Sequence, residues 1–183
     1  MKSTTLSFTL LCSLSLLLTA CGGGGSSSIT GAATGDKFNG IWQGACEYNA
    51  TTNTGEKSKT TFNGATNKLF VSTYNTSDCS GTALKTDEAT FDIKYQGALA
   101  TSTCTAEKAD LQLTAAKING RILSKEQIAV VNNSNLYPKY QLICIDSKDK
   151  LRKGDTSKAS TNGTTAAKRP TEMDMSGAGF TKQ

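Results

Sequence analysis

The chain contains no histidine. That absence removes Ser–His and Cys–His nucleophile pairs and every metal site built on imidazole. There is no P-loop, no G-x-G-x-x-G after a strand-like segment and no EF-hand loop, so the familiar phosphate and calcium cradles are missing too. No CxxC pair occurs, and a zinc site would have to gather four thiolates from distant segments. Carboxylate pairs could serve a glycosidase, and Asp87-Glu88 and Asp146-x-x-Asp149 are the candidates. Adjacent residues on a strand point to opposite faces, however, and both clusters read as charged turns at strand ends. The sequence therefore predicts no enzyme, no metal and no cofactor. Aromatic residues are only 7% of the chain, which disfavours a large aromatic-lined cavity.

Long apolar runs are lacking as well. A membrane-spanning helix needs about 20 apolar residues, whereas residues 6–20 form a shorter tract diluted with Ser and Thr. Lys2 precedes this tract and small residues end it, the pattern of a secretory signal. Its last four residues, Leu18-Thr19-Ala20-Cys21, resemble the lipobox of bacterial lipoproteins. The resemblance implies that residues 1–20 are removed as a signal peptide, that the Cys21 thiol receives diacylglycerol, and that the new amine is acylated. Two or more acyl chains hold a protein stably on a membrane. Gly22 stands where an Asp would imply inner-membrane retention, so the expected address is the outer membrane, on its periplasmic or surface face. Such an export route leaves little place for nucleic acid as a partner.

Residues 21–37 are rich in Gly, Ser and Thr and read as a lipidated flexible tether, about 20–25 Å in coil reach. A single domain should occupy 38–183. The formal charge is +5, or +4 once Lys2 has left with the signal. Residues 21–138 carry ten basic and ten acidic side chains, so the excess comes from residues 139–183, with nine against five. A soluble surface is the plain reading of that excess, and contact with anionic lipid or polysaccharide the other.

Of six cysteines, Cys12 leaves with the signal and Cys21 takes lipid. Cys46, Cys79, Cys104 and Cys144 remain, an even number in an oxidising compartment. Three connectivities are possible. Cys46–Cys79 with Cys104–Cys144 is favoured because each bridge closes a moderate loop, adding roughly 3–4 kcal/mol in the loop-entropy model. On a regular strand, positions 42, 44 and 46 share a face, so Cys46 is expected beside Trp42 in the interior. Cys144, on the face of Tyr140 and Leu142, is expected to point inward too.

Between 38 and 147 the pattern is that of strands. "TFDIKYQ" (90–96) alternates Phe91, Ile93 and Tyr95 with polar residues, and "DLQLT" (110–114) repeats the device. "KLFVSTY" (68–74) and "YQLICI" (140–145) are apolar on both faces and read as more buried strands. No segment of twelve or more residues keeps a helical period. Asn119-Gly120, between apolar residues, is a strong hairpin signal, and Asn-Gly also occurs at 39–40 and 63–64. Pro138 stands just before a strand, where its missing donor costs little. About eight strands at this spacing predict an all-β fold, an antiparallel barrel or sandwich. Residues from about 152 onward are disordered by composition, although Arg169-Pro170-Thr171 and Phe180 suggest a loop across the barrel and a short last strand.

Gly40-Ile41-Trp42 resembles the G-x-W signature of lipocalins and related calycins. The resemblance implies an up-and-down barrel in which Trp42 begins the first strand and closes one end. The second lipocalin motif, T-D-x-Y, is missing, which withholds any particular ligand. "GIWQGACEY", "STYNTSDCSGTAL", "TFDIKYQG" and "RPTEMDMSGAGFTK" together resemble a group of small bacterial lipoproteins of uncharacterised function. The expectation is a non-catalytic envelope lipoprotein, a membrane-tethered interaction module for a protein or polysaccharide. The alternative is a lipocalin-like binder of a small apolar or amphipathic molecule, its binding residues unknown.

Overall fold

The computed structural model describes residues 35–183. The lipobox, Cys12, Cys21 and the sequence of 1–34 lie outside the described residues. A 3₁₀ turn, Asp36–Phe38, leads into β1 (Gly40–Asn49), β2 (Thr54–Asn63), β3 (Thr66–Tyr74), β4 (Lys85–Ala100) and β5 (Thr105–Ile118). There follow β6 (Arg121–Ile122), a short helix α1 (Lys125–Asn133), β7 (Tyr140–Ile145), β8 (Lys150–Lys153) and β9 (Phe180–Lys182). Strands β1 to β5 pair antiparallel in sequence order, β5 passes over β6 and α1 to pair with β7, and β8 and β9 follow. β9 then pairs with β1 through Trp42–Lys182 and Gln43–Thr181. Eight strands thus form a closed antiparallel barrel, with β6 as a ninth on the end of β5. The expected all-β architecture is present, as a barrel and not a sandwich.

Turn chemistry explains two of the hairpins. Asn119 and Gly120 both take positive φ, 50° and 77°, between paired Ile118 and Arg121, as a type I′ turn requires. At 63–66 only Gly64 does so, while Asn63 is already paired with Thr66. Asn39-Gly40 makes no hairpin. It joins the 3₁₀ turn to β1, and the Asn39 Oδ1 accepts the Gly64 backbone N–H at 2.7 Å.

Phe38, Trp42, Phe62, Ile93, Ile143 and Leu151 fill one end of the barrel. The folded chain therefore begins slightly before position 38, because the 3₁₀ turn itself inserts the plug. Leu69, Phe91, Leu113 and Ala116 form the next layer, joined by Val131 of α1 and by Tyr137. Helix α1, unforeseen from periodicity, starts at a capping box in which Ser124 Oγ accepts the Gln127 N–H and Gln127 Oε1 accepts the Ser124 N–H. It covers the stretch of β5 beyond the reach of β7, where Asn132 both donates to the Leu113 carbonyl and accepts its N–H.

Residues 154–179 run as a strap over the outside of β7 and β8. Leu142, Cys144 and Ala106 lie beneath it, clustered with Met173 of the strap, all within 5% of complete burial. The Arg169 guanidinium fixes the strap, donating to the carbonyls of Ala109 and Gln141 and to Asp110 while lying over the Tyr140 ring. Pro170 packs so closely on Gly154 that a Cβ there would come within 2.6 Å of it. A polar composition is ordered here because one planar cation satisfies three acceptors at once.

The bridges join Cys46 to Cys79 and Cys104 to Cys144. Their setting differs from expectation. Between Gln43 and Cys46 the register with β2 slips by one residue, a β-bulge that inverts the alternation. Ala45 and Glu47 then turn inward and Cys46 turns out, away from the face of Trp42. Cys144 does share a face with Leu142, but Ile143 is the inward residue, so Cys144 is buried under the strap and not in the barrel.

Candidate ligand cavity

The barrel is stoppered at one end and open at the other. At the closed end the Trp42 indole N–H donates to the Phe38 carbonyl at 2.7 Å, and Phe38 stacks on Tyr95 with ring centres 6.1 Å apart. This is the position implied for Trp42 by its Gly-x-Trp triplet. Above the plug, with Leu151 at its floor, lies a cavity of about 160 Å³. Its walls are mostly apolar, with Leu69, Val71, Phe91, Leu113, Ile118 and Phe180 among the side chains that line it. Tyr137 completes the wall beside α1, its hydroxyl held by Asn132 Oδ1 at 2.7 Å and by the Leu111 carbonyl.

Gly44 is small for a reason. The Phe180 ring lies against it, where a Cβ would meet the ring edge at 3.3 Å. Phe180 of β9 can therefore lay its ring over the neighbouring strand β1 at the wall of the cavity. Lys153 is on the same inward face of β8 as Leu151, and its amine lies 4.8 Å from the Phe180 ring centre. Burial pushes the Lys153 pKa down to about 8.

The mouth is acidic. Glu47 and Glu56 are paired directly across β1 and β2, an arrangement of like charges that disfavours ionisation. Burial, then Glu56, then Asp174 raise the Glu47 carboxyl above its ordinary value.

The carboxylates singled out from sequence have separate roles. Asp87 points into the barrel with its side chain 2% exposed, Oδ1 accepting the Asn119 N–H at 2.6 Å. Lys85 Nζ stands 3.4 Å from its Oδ2 without hydrogen-bond geometry. Glu88 turns the other way to Lys68, as neighbours on a strand must. Asp146 braces the β7–β8 turn, accepting from Arg152 Nε and from the backbone of Lys148 and Lys150, while Asp149 adopts positive φ in that turn. Neither cluster brings two carboxylates together. Among the described residues no group of three or more Cys, Asp or Glu is arranged to hold a metal ion.

Sequence reasoning missed Lys153, Phe180 as a wall residue, and the Glu47–Glu56 pair. Glu47 becomes inward-facing only through the bulge, which leaves no mark in the alternation. β8 is four residues long, too short for a period to announce which face Lys153 takes. Compared with known protein families, with characterised proteins and with solved structures, the chain matches none.

Proposed function

We propose that the protein is a lipid-anchored envelope barrel that holds a small apolar or amphipathic molecule without chemically changing it. The observation that carries this reading is the one-ended cavity, apolar in its walls and polar at its mouth, the usual character of a small-molecule site. The lack of histidine anywhere in the chain supports binding without turnover. The lipobox supports the anchor at Cys21, and Gly22 after it supports an outer-membrane address. Because Gly35 packs against Tyr95 and Phe38 forms the plug, the chain enters the barrel at its closed end. An anchor at Cys21 would hold the barrel from that side and leave the mouth free.

Native mass spectrometry of the protein from its own host tests the reading. A co-purifying small molecule supports it, whereas an unliganded mass together with a cross-linked protein neighbour favours an interaction module instead. One observation favours that second reading: Leu84, Val130 and Ile122 are 63%, 62% and 80% exposed. The anchor has its own test. Cys21→Ala should abolish incorporation of labelled palmitate, and unchanged labelling would remove the lipoprotein assignment.

A further inference from the structure

We infer that the cavity takes a small monoanion, an apolar body about the size of one aromatic ring bearing a single carboxylate, with Lys153 as its counter-charge. The inference rests on the ligand-cavity reading and adds the chemical class of the ligand. Among the described residues the Lys153 amine has no hydrogen-bond or ion-pair partner, only the face of Phe180. An ammonium drawn out of water with no anion beside it is unfavourable until one meets it. The ring face offsets part of that cost. A bound carboxylate would supply the charge-assisted hydrogen bond that the site lacks.

The protein's own acids are placed otherwise. Glu47 on β1, Glu56 on β2 and Asp174 on the strap stand around the mouth. Asp87 on β4 accepts the Asn119 N–H and lies within ion-pair distance of Lys85, Glu88 faces Lys68, and Arg152 beside Lys153 is paired with Asp146. The acidic mouth repels an anion in proportion to its charge, so among anions a monoanion is disfavoured least. Size narrows the class further. A cavity of about 160 Å³ compares with the roughly 150 Å³ that accepts benzene, so the part of a ligand that it encloses is about one ring in size.

The test is an NMR titration of the full chain and its Lys153→Met variant with benzoate, benzyl alcohol and benzylamine. The expected result is that benzoate binds the wild type about tenfold or more tightly than either analogue near neutral pH. The amine would lose its proton above about pH 8, so benzoate affinity should fall there by up to about tenfold per pH unit. In Lys153→Met the preference for benzoate should vanish while benzyl alcohol still binds, which also shows that the cavity is intact. Should the variant fail to fold, the wild-type Lys153 amine, followed by side-chain ¹⁵N shifts, must still rise in pKa on adding benzoate. Benzyl alcohol binding without any preference for benzoate overturns the role of Lys153 and leaves the cavity reading standing. If none of the three probes binds either protein, the cavity reading fails and this inference with it.

Discussion

Trp42 is tied to Phe38 four residues earlier by a buried hydrogen bond from indole to carbonyl, 2.7 Å long. The side chain that packs the base of the barrel thus also fixes the turn that plugs it, and the Lys182 ammonium lies over the same ring at 5.4 Å. Trp42→Phe should leave the Phe38 carbonyl without its donor and a void beneath β9. The expected loss is about 2–4 kcal/mol, measurable by urea unfolding followed by circular dichroism. Loss of less than about half a kcal/mol would mean that the plug is held by other contacts.

The two bridges should differ in reactivity. Cys144 is fully buried under the strap, whereas Cys46 lies on the outer face of a bulged strand. Mild reductant with alkylation and peptide mapping should label Cys46 and Cys79 before Cys104 and Cys144. Replacing the Cys104–Cys144 pair should cost more stability than replacing the other, within the range of about 2–5 kcal/mol. Simultaneous labelling of all four would contradict the burial difference.

Arg169→Lys is not a conservative change here. An ammonium cannot reach the Ala109 and Gln141 carbonyls and the Asp110 carboxylate in one plane, nor stack as well on Tyr140. The strap should open to limited proteolysis within 154–179, with stability lowered by about 1–3 kcal/mol. An unchanged cleavage pattern would show that Pro170 and Met173 suffice to hold it.

Acid should reach the β7–β8 turn through Asp146. Burial by itself would raise this carboxyl, but Arg152 and the backbone N–H groups of Lys150 and Lys148 more than reverse that, leaving the pKa below its ordinary value. A lowered folded-state pKa adds stability above the unfolded value of about 4, and that increment is lost as pH falls through the folded value. Asp146→Asn should be less stable than wild type at neutral pH, with the gap closing below about pH 4. Chemical unfolding at several pH values measures it; a constant gap would place the Asp146 contribution outside titration.

Much of the barrel was legible because its main strands obey a simple period. Phe91 and Ile93 are buried and Asp92 and Lys94 exposed, as alternation requires. β2, "TGEKSKTTFN", is nearly invisible by that rule. Its inward residues include Glu56, Ser58 and Thr60, polar groups that the mouth accommodates or that find partners, as Thr60 does with Asn67. Helix α1 was missed because a nine-residue helix with one fully buried side chain, Val131, has almost no apolar stripe. Its start was readable in Ser124-x-x-Gln127 all the same. The cavity was the least legible part. Its polar groups come from a bulge, a four-residue strand and the strap, and only long-range pairing brings these together.

The pairing of Trp42 with Lys182 spans 140 positions, and that span has a consequence in time. Every other seam of the barrel joins strands whose paired residues are at most 36 positions apart, as Glu107 and Ile143 are. The seam between β1 and β9 closes the ring, so β1 keeps an open edge until β9 is in place. Seams of such sequence separation are slow to find, because the entropy of closing the ring comes before any contact rewards it. The Cys46–Cys79 bridge, 33 residues in span, can form long before then, fastening β1 to the loop between β3 and β4. The half-built sheet would then wait as a stapled ribbon until Phe180 arrives.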